Sequence, residues 1–265
     1  MSQAGMAGMQ LAAQDILTIG ETLDSDQWQI PSAATGWSVQ DVVVHTGCLL
    51  GLLMAAVDGE AVPDTGIEAL NDIQVVEKRS WNGAQALEAL QQNLEKALAV
   101  FAPLQDEPLA SVETQMLDLG SYPLHSIVDM FTFDLTTHLR YDILAPRGPV
   151  ERHLPPLDET QLAPAVSWLL GGIPKMQPDL PQHILAPLAL NLTGPAARQV
   201  MISVNGGAIS VVPQAETDLA AIATMTSPTS DLLAWSTKRL PWQPLVSIEG
   251  DRTAAAEFLD ALNLI

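Results

Sequence analysis

Cationic side chains are scarce. Lysine and arginine number 11 against 31 aspartates and glutamates, a formal net charge of −20 over 265 residues. So acidic a chain argues against a nucleic-acid partner, because phosphate binding needs a basic face. It disfavours anionic membranes on the same ground, and it keeps a chain that is 48% hydrophobic dispersed in solution. Cysteine is almost missing: Cys48 stands alone, so no intramolecular disulfide can form, and a reducing cytoplasm is the expected setting. The opening stretch MSQAGMAGMQLAAQ has no basic segment leading into an apolar core, so no signal peptide is expected. Nor is there an unbroken run of the ~20 apolar residues that span a bilayer. The most apolar stretch, Val42 to Val57, is shorter and carries His45, Thr46 and two glycines, so it reads as a buried helix. Internal repeats and low-complexity tracts are absent.

What is present falls into two parts. The first is helical. Leu11, Ile16, Ile19 and Leu23 give residues 9–23 a helical face, followed by a loop at Trp28 and Pro31. Ser38, with Asp41 three residues on, forms a shortened capping box for a helix running to about Val57 and ended by Asp58–Gly59. Residues 67–101 are helical with a break near Asn82–Gly83. Residues 103–122 read as a polar connection, and a last helix starts near Pro123 and stops before Pro146. Four long helices so connected suggest a bundle.

APRGPVERHLPPLDE is a Pro-rich linker, and the pattern changes beyond it. Residues 160–172 are helical. LAPLALNLTG and RQVMISVNGGAISVVP read as strands with a hairpin turn at Asn205–Gly206, DLAAIATMTS as a strand or a helix-to-strand transition, and PLVSIEG as a strand. SPTSDLLAWSTKR is a helix, and a closing helix begins at Asp251. The fold class is therefore a two-domain α+β chain. A bundle spans 1–146, a linker 147–159, and a small α+β domain with a mostly antiparallel sheet 160–265.

The histidines carry the candidate chemistry. His153 and His183 lie in Pro-rich loops and read as solvated. Asp134 and His138, four apart, share one helical face, with His125 roughly opposite and Asp142 placed to orient His138. With His45 from a facing helix they make a two-histidine, one-carboxylate set that leaves a position open for water or substrate, as catalytic zinc requires. Non-haem iron suits the same set. The competing reading is a hydrogen-bonded core His45 beside an Asp134–His138 helical ion pair. Cys48, three residues after His45, is either a further thiolate ligand or nucleophile, or a small buried hydrophobe.

GWSVQDVVVHTG resembles the entry to the second helix of DinB-like metal-binding bundles. The whole chain, with LALNLTG, SDLLAWSTKRL and VSIEGDRTAAAEFLDALNLI in its second half, resembles the mycothiol-dependent maleylpyruvate isomerase family. The resemblance implies a DinB-like four-helix bundle joined to a sterol-carrier-protein-like domain. It implies a metal set of His45, His138 and Asp134, the last standing where glutamate is usual. Aspartate is one methylene shorter, so it serves either as a direct ligand or as the orienter of a histidine. In the second domain the resemblance assigns Arg239 to activity, and its guanidinium is suited to hold a substrate carboxylate at the domain interface by a forked contact. The alternative is a solvated Lys238–Arg239 pair at a helix C-terminus.

The function so implied is a zinc-dependent isomerase or S-transferase that uses mycothiol, a low-molecular-weight thiol, against a small electrophile. The metal would lower the thiol's pKa. Two other readings remain open: a non-catalytic binder of apolar ligands, and a zinc hydrolase that needs no thiol.

Overall fold

The computed structural model describes every residue except 1, 2, 58, 61, 62, 64 and 265, and it divides into two compact units, residues 1–156 and 157–265. The first is built on four long helices: α1 (Gln3–Gly20), α3 (Val39–Val57), α5 (Gly83–Phe101) and α6 (Ile127–Thr137). The shorter α2 (Ser25–Gln29) and α4 (Ile67–Lys78) pack on α3. The bundle forms because each helix has an apolar face to hide. On α5 the stripe is Ala86, Leu90, Leu94, Ala97 and Phe101, all buried, and Phe101 stacks on Phe131 of α6 with ring centroids 5.8 Å apart. Gly47 lets α3 approach α5 closely: a Cβ there would meet the Leu90 backbone nitrogen at 3.1 Å. Asn93 ties the same crossing by donating to the Gly47 carbonyl at 2.8 Å.

Several expected boundaries hold. Ser38 and Asp41 form the reciprocal cap: the Asp41 backbone N–H donates to Ser38 Oγ at 3.1 Å and the Ser38 N–H to Asp41 Oδ2 at 3.0 Å. The break at Asn82 is a capping box that starts α5. α3 ends at Val57, and Asp58, expected to close it, lies outside the described residues. α3 is long and apolar enough to cross a membrane, but 67% of its most apolar window is buried, as suits a core helix.

Three expectations for the first unit need correction. The Trp28 loop is the short helix α2, capped by Asp24, with Trp28 buried. The connection at 103–122 contains a two-stranded antiparallel ribbon, β1 (Glu113–Gln115) and β2 (Ser121–Pro123). Pro123 therefore closes a strand rather than opening a helix, and α6 begins at Ile127. Beyond Thr137 the helix widens into a π-helical turn, His138–Ile143.

The second unit carries a five-stranded sheet in the order β5-β4-β3-β6-β7, with β3 (Leu188–Thr193), β4 (Arg198–Asn205), β5 (Ala208–Pro213), β6 (Ala223–Pro228) and β7 (Ser247–Gly250). Only the β3–β6 pairing is parallel. Asn205 pairs with Ala208, so the hairpin turn is Gly206–Gly207 rather than Asn205–Gly206. Both glycines have positive φ, 59° and 84°, as a type I′ turn demands. Helices α7 (Glu159–Gly172), α8 (Thr229–Trp235) and α9 (Arg252–Ala261) complete the unit, with Trp168, Trp235 and Phe258 fully buried. Asp251 caps α9 by accepting from the Thr253 and Ala254 N–H groups.

Candidate metal centre

His45 sits in the second turn of α3 because the Ser38–Asp41 cap fixes where that helix starts. Asp134 lies in the last turn of α6, and His138 opens the π-helical turn that follows. The structure brings the three together. His45 Nε2 lies 3.5 Å and His138 Nε2 3.4 Å from the same oxygen, Asp134 Oδ1. One potential ligand atom from each falls within 4.8 Å of the others, so the trio could hold a metal ion. The imidazoles meet edge to face with centroids 4.9 Å apart.

The orientation of His138 is set from behind. Its Nδ1 lies 2.8 Å from Asp142 Oδ2. A carboxylate only accepts, so Nδ1 carries the hydrogen and donates it. Asp142 is itself held by Arg147, whose Nη1 donates to Asp142 Oδ1 and, at 3.0 Å, to the Tyr141 carbonyl. With Nδ1 engaged by Asp142, the ring turns Nε2 toward the Asp134 oxygen, where a cation could be shared between them.

The spacing suits a metal. With ligand distances of about 2.0–2.2 Å, two donors of a tetrahedral zinc site stand about 3.3–3.6 Å apart, and the two nitrogen–oxygen separations fall in that range. An ordinary N–H···O bond is shorter, at about 2.7–3.2 Å. Asp134 Oδ2 and His45 Nδ1 are both buried without a hydrogen-bond partner, and a cation at the cluster would offset the first of these. His45 is 1% exposed, whereas the Asp134 side chain is 16% exposed, so the cluster opens on the aspartate side. Burial works to raise the Asp134 pKa, but the adjacent His138 and His45 outweigh it and hold the carboxyl below its ordinary range.

Trp37 walls the cluster. Its ring centroid lies 5.0 Å from His45 and 6.2 Å from His138, and its Nε1 donates to Asp72 Oδ1 at 3.0 Å. The loop that carries it is pinned to the π-helical turn by the Ala33 N–H, which donates to the Asp142 carbonyl at 2.9 Å. Arg147 was the residue that sequence reasoning missed. Its one signal was a base five residues beyond Asp142 in a chain poor in bases.

Other candidates lie elsewhere. His125 precedes α6, with its Nδ1 2.9 Å from the Ala110 carbonyl. His153 is exposed, and half-exposed His183 lies 3.7 Å from Glu257. Cys48 does not join the ligand trio among the described residues. Burial raises its pKa, and its charged neighbours are Lys78 and Glu77 of α4. In the second unit Lys238 donates from Nζ to the carbonyls of Leu259 and Asp260 at 3.0 and 2.8 Å, satisfying the last turn of α9. Arg239 follows in the turn after α8, with its backbone N–H on the Ala234 carbonyl at 2.9 Å.

Fold and site define a helical bundle with a two-histidine, one-carboxylate cluster, followed by a small α+β unit. Residues 9–140 match the model of the mycothiol maleylpyruvate isomerase N-terminal domain, and the N-terminal unit belongs to that family. The whole chain shares its fold with a solved mycothiol-dependent maleylpyruvate isomerase. That structure is 15% identical with a TM-score of 0.59, over 92% of this chain and 91% of that one. A histidine-to-alanine variant structure of a mycothiol-dependent maleylpyruvate isomerase gives 13% identity and a TM-score of 0.58 over the same shares. A sterol carrier protein 2 like 2 from Aedes aegypti overlaps 37% of this chain and 92% of its own at 18% identity, with a TM-score of 0.29, too low to carry an argument. No curated protein matches the sequence significantly.

Proposed function

We propose that the chain is a divalent-metal enzyme, with zinc as the expected ion, that uses mycothiol to isomerise or S-conjugate a small electrophile. His45, Asp134 and His138 are the proposed ligands. The observation that carries the reading is the convergence of two Nε2 atoms on one Asp134 oxygen, with His138 locked from behind by Asp142. A divalent cation bound there supplies the positive charge that lowers a thiol's pKa and yields thiolate at neutral pH. The chain's own residues do the rest. Asp142 accepts from His138 Nδ1 and so turns Nε2 toward the proposed metal position. Trp37 covers the imidazoles and limits water beside them. Arg239 is the proposed holder of a substrate carboxylate. Membership of the isomerase domain family and the shared fold support the thiol and the reaction class. The single cysteine is in keeping with a cytoplasmic setting.

Elemental analysis and a paired assay test this. The purified protein is expected to hold about one equivalent of metal, His45→Ala to lose most of it, and turnover of an electrophile to need mycothiol. Full metal content in His45→Ala sinks the site. Turnover without thiol points instead to a hydrolase, and metal-free protein carrying bound lipid to a binding protein.

A further inference from the structure

The faces of α3 and α6 that carry the cluster continue, a turn further on, into the wall of a cavity of about 350 Å³. On α3, Leu49, Leu53 and Ala56 follow His45 at i+4, i+8 and i+11, a single helical stripe. On α6, Met130 and Ile127 precede Asp134 by four and seven residues, again on one face. At 1.5 Å rise per residue, the nearest wall residues stand about 6 Å along each helix from the cluster. The β1–β2 ribbon and the turn between its strands close the far side.

The chemistry of this wall differs from that of the cluster. No ionisable side chain lines the cavity among the described residues. The polar ones are Thr114 and Gln115, and Gln115 spends its amide on the Leu117 carbonyl at 2.6 Å. Leu49, Ile127 and Met130 are buried, but Leu52 and Leu53 are only half-buried. An apolar recess open to water gains free energy when an apolar group fills it, whereas a carboxylate placed there would lose its hydration with nothing in exchange. The volume is near the lower end of the ~300–1,000 Å³ range of ligand pockets, room for one aromatic ring or a short alkyl chain.

We propose that this cavity holds the uncharged aryl or alkyl part of the electrophilic substrate, directing its reactive carbon along the α3–α6 faces toward the cluster. What happens at the cluster rests on the thiol-dependent reading above; the binding itself needs no turnover.

Calorimetry on the metal-loaded full chain, without thiol, tests the binding with benzylideneacetone, a neutral aryl enone, and with its analogue bearing a para carboxylate on the ring. The neutral compound is expected to bind, and the carboxylate to bind about tenfold more weakly or worse. Leu53→Trp, which fills the cavity, and Leu53→Asn, which makes its wall polar, are each expected to weaken the neutral compound about tenfold. Melting curves check the Leu53 variants, and either one that folds suffices. No binding by the wild type, equal affinity for the carboxylate, or indifference to the folded Leu53 variants overturns the proposal. If binding behaves as expected but mycothiol is never consumed, the cavity stands and the thiol-dependent reading falls.

Discussion

Behind the cluster of His45, Asp134 and His138 stand Asp142, which holds His138, and Arg147, which holds Asp142. Asn at position 142 could still accept the Nδ1 hydrogen, but without the charge that strengthens His138 as a donor to metal, and it would strip Arg147 of its anion. Asp142→Asn is therefore expected to fold and to bind metal about 10–100-fold more weakly, as read by competition with a chromophoric chelator; unchanged affinity would remove Asp142 from the site. Cys48 stands the other way. Burial raises its pKa, so little thiolate forms near neutrality. Alkylation at pH 8 should run well below the rate of a free thiol, and Cys48→Ser should keep its metal and any mycothiol-dependent turnover. Loss of either would make the sulfur functional. At this scale the i,i+4 spacings of Asp134, His138 and Asp142 were legible in the sequence because they lie within one helical run. Arg147 was not, since it follows Pro146 in a stretch that reads as linker. The position of half-buried Trp37 over two imidazoles depends on a loop folded back onto the π-helical turn, which no local pattern announces.

Elements were readable where a side chain dictates the backbone. Ser38 with Asp41, Asn82 with Gln85, and Asp251 are caps whose hydrogen bonds are local, so sequence spacing suffices to find them. The β1–β2 ribbon was not readable, because strands of three residues have too little alternation to register. Pro123 suits the end of a strand as well as the first turn of a helix, so the start of α6 was placed too early. Gly83 shows how packing can reverse a local preference. It opens α5, where alanine would ordinarily favour the helix, but a Cβ there would overlap the Trp28 indole of α2. Gly83→Ala is expected to destabilise the first unit by about 1–3 kcal/mol, measured by urea unfolding. A neutral or stabilising result would mean that Trp28 is free to move aside.

At the scale of the molecule, the proposed metal ligands belong to residues 1–156 and Arg239 to residues 157–265. In the sequence, helical patterning gives way to mixed patterning across the Pro-rich stretch around this division. That stretch is not all linker: Val150 is buried, and its N–H donates to the Ile143 carbonyl at 2.9 Å. The partition makes the arginine's role separable from the metal's. Lys238, its neighbour, donates from Nζ to the last carbonyls of α9, so the arginine can be tested apart from it. If its guanidinium holds a substrate carboxylate, Arg239→Ala removes a charged hydrogen bond worth about 1.5–3 kcal/mol. The kcat/KM should then fall by about ten- to a hundredfold, while metal content and the unfolding midpoint stay unchanged. The conservative Arg239→Lys should recover only part of the loss, because an ammonium cannot make the two-pronged contact. A variant with full kcat/KM would show that substrate is held by the metal-bearing unit alone, whereas loss of metal on substitution would assign the arginine a structural role instead.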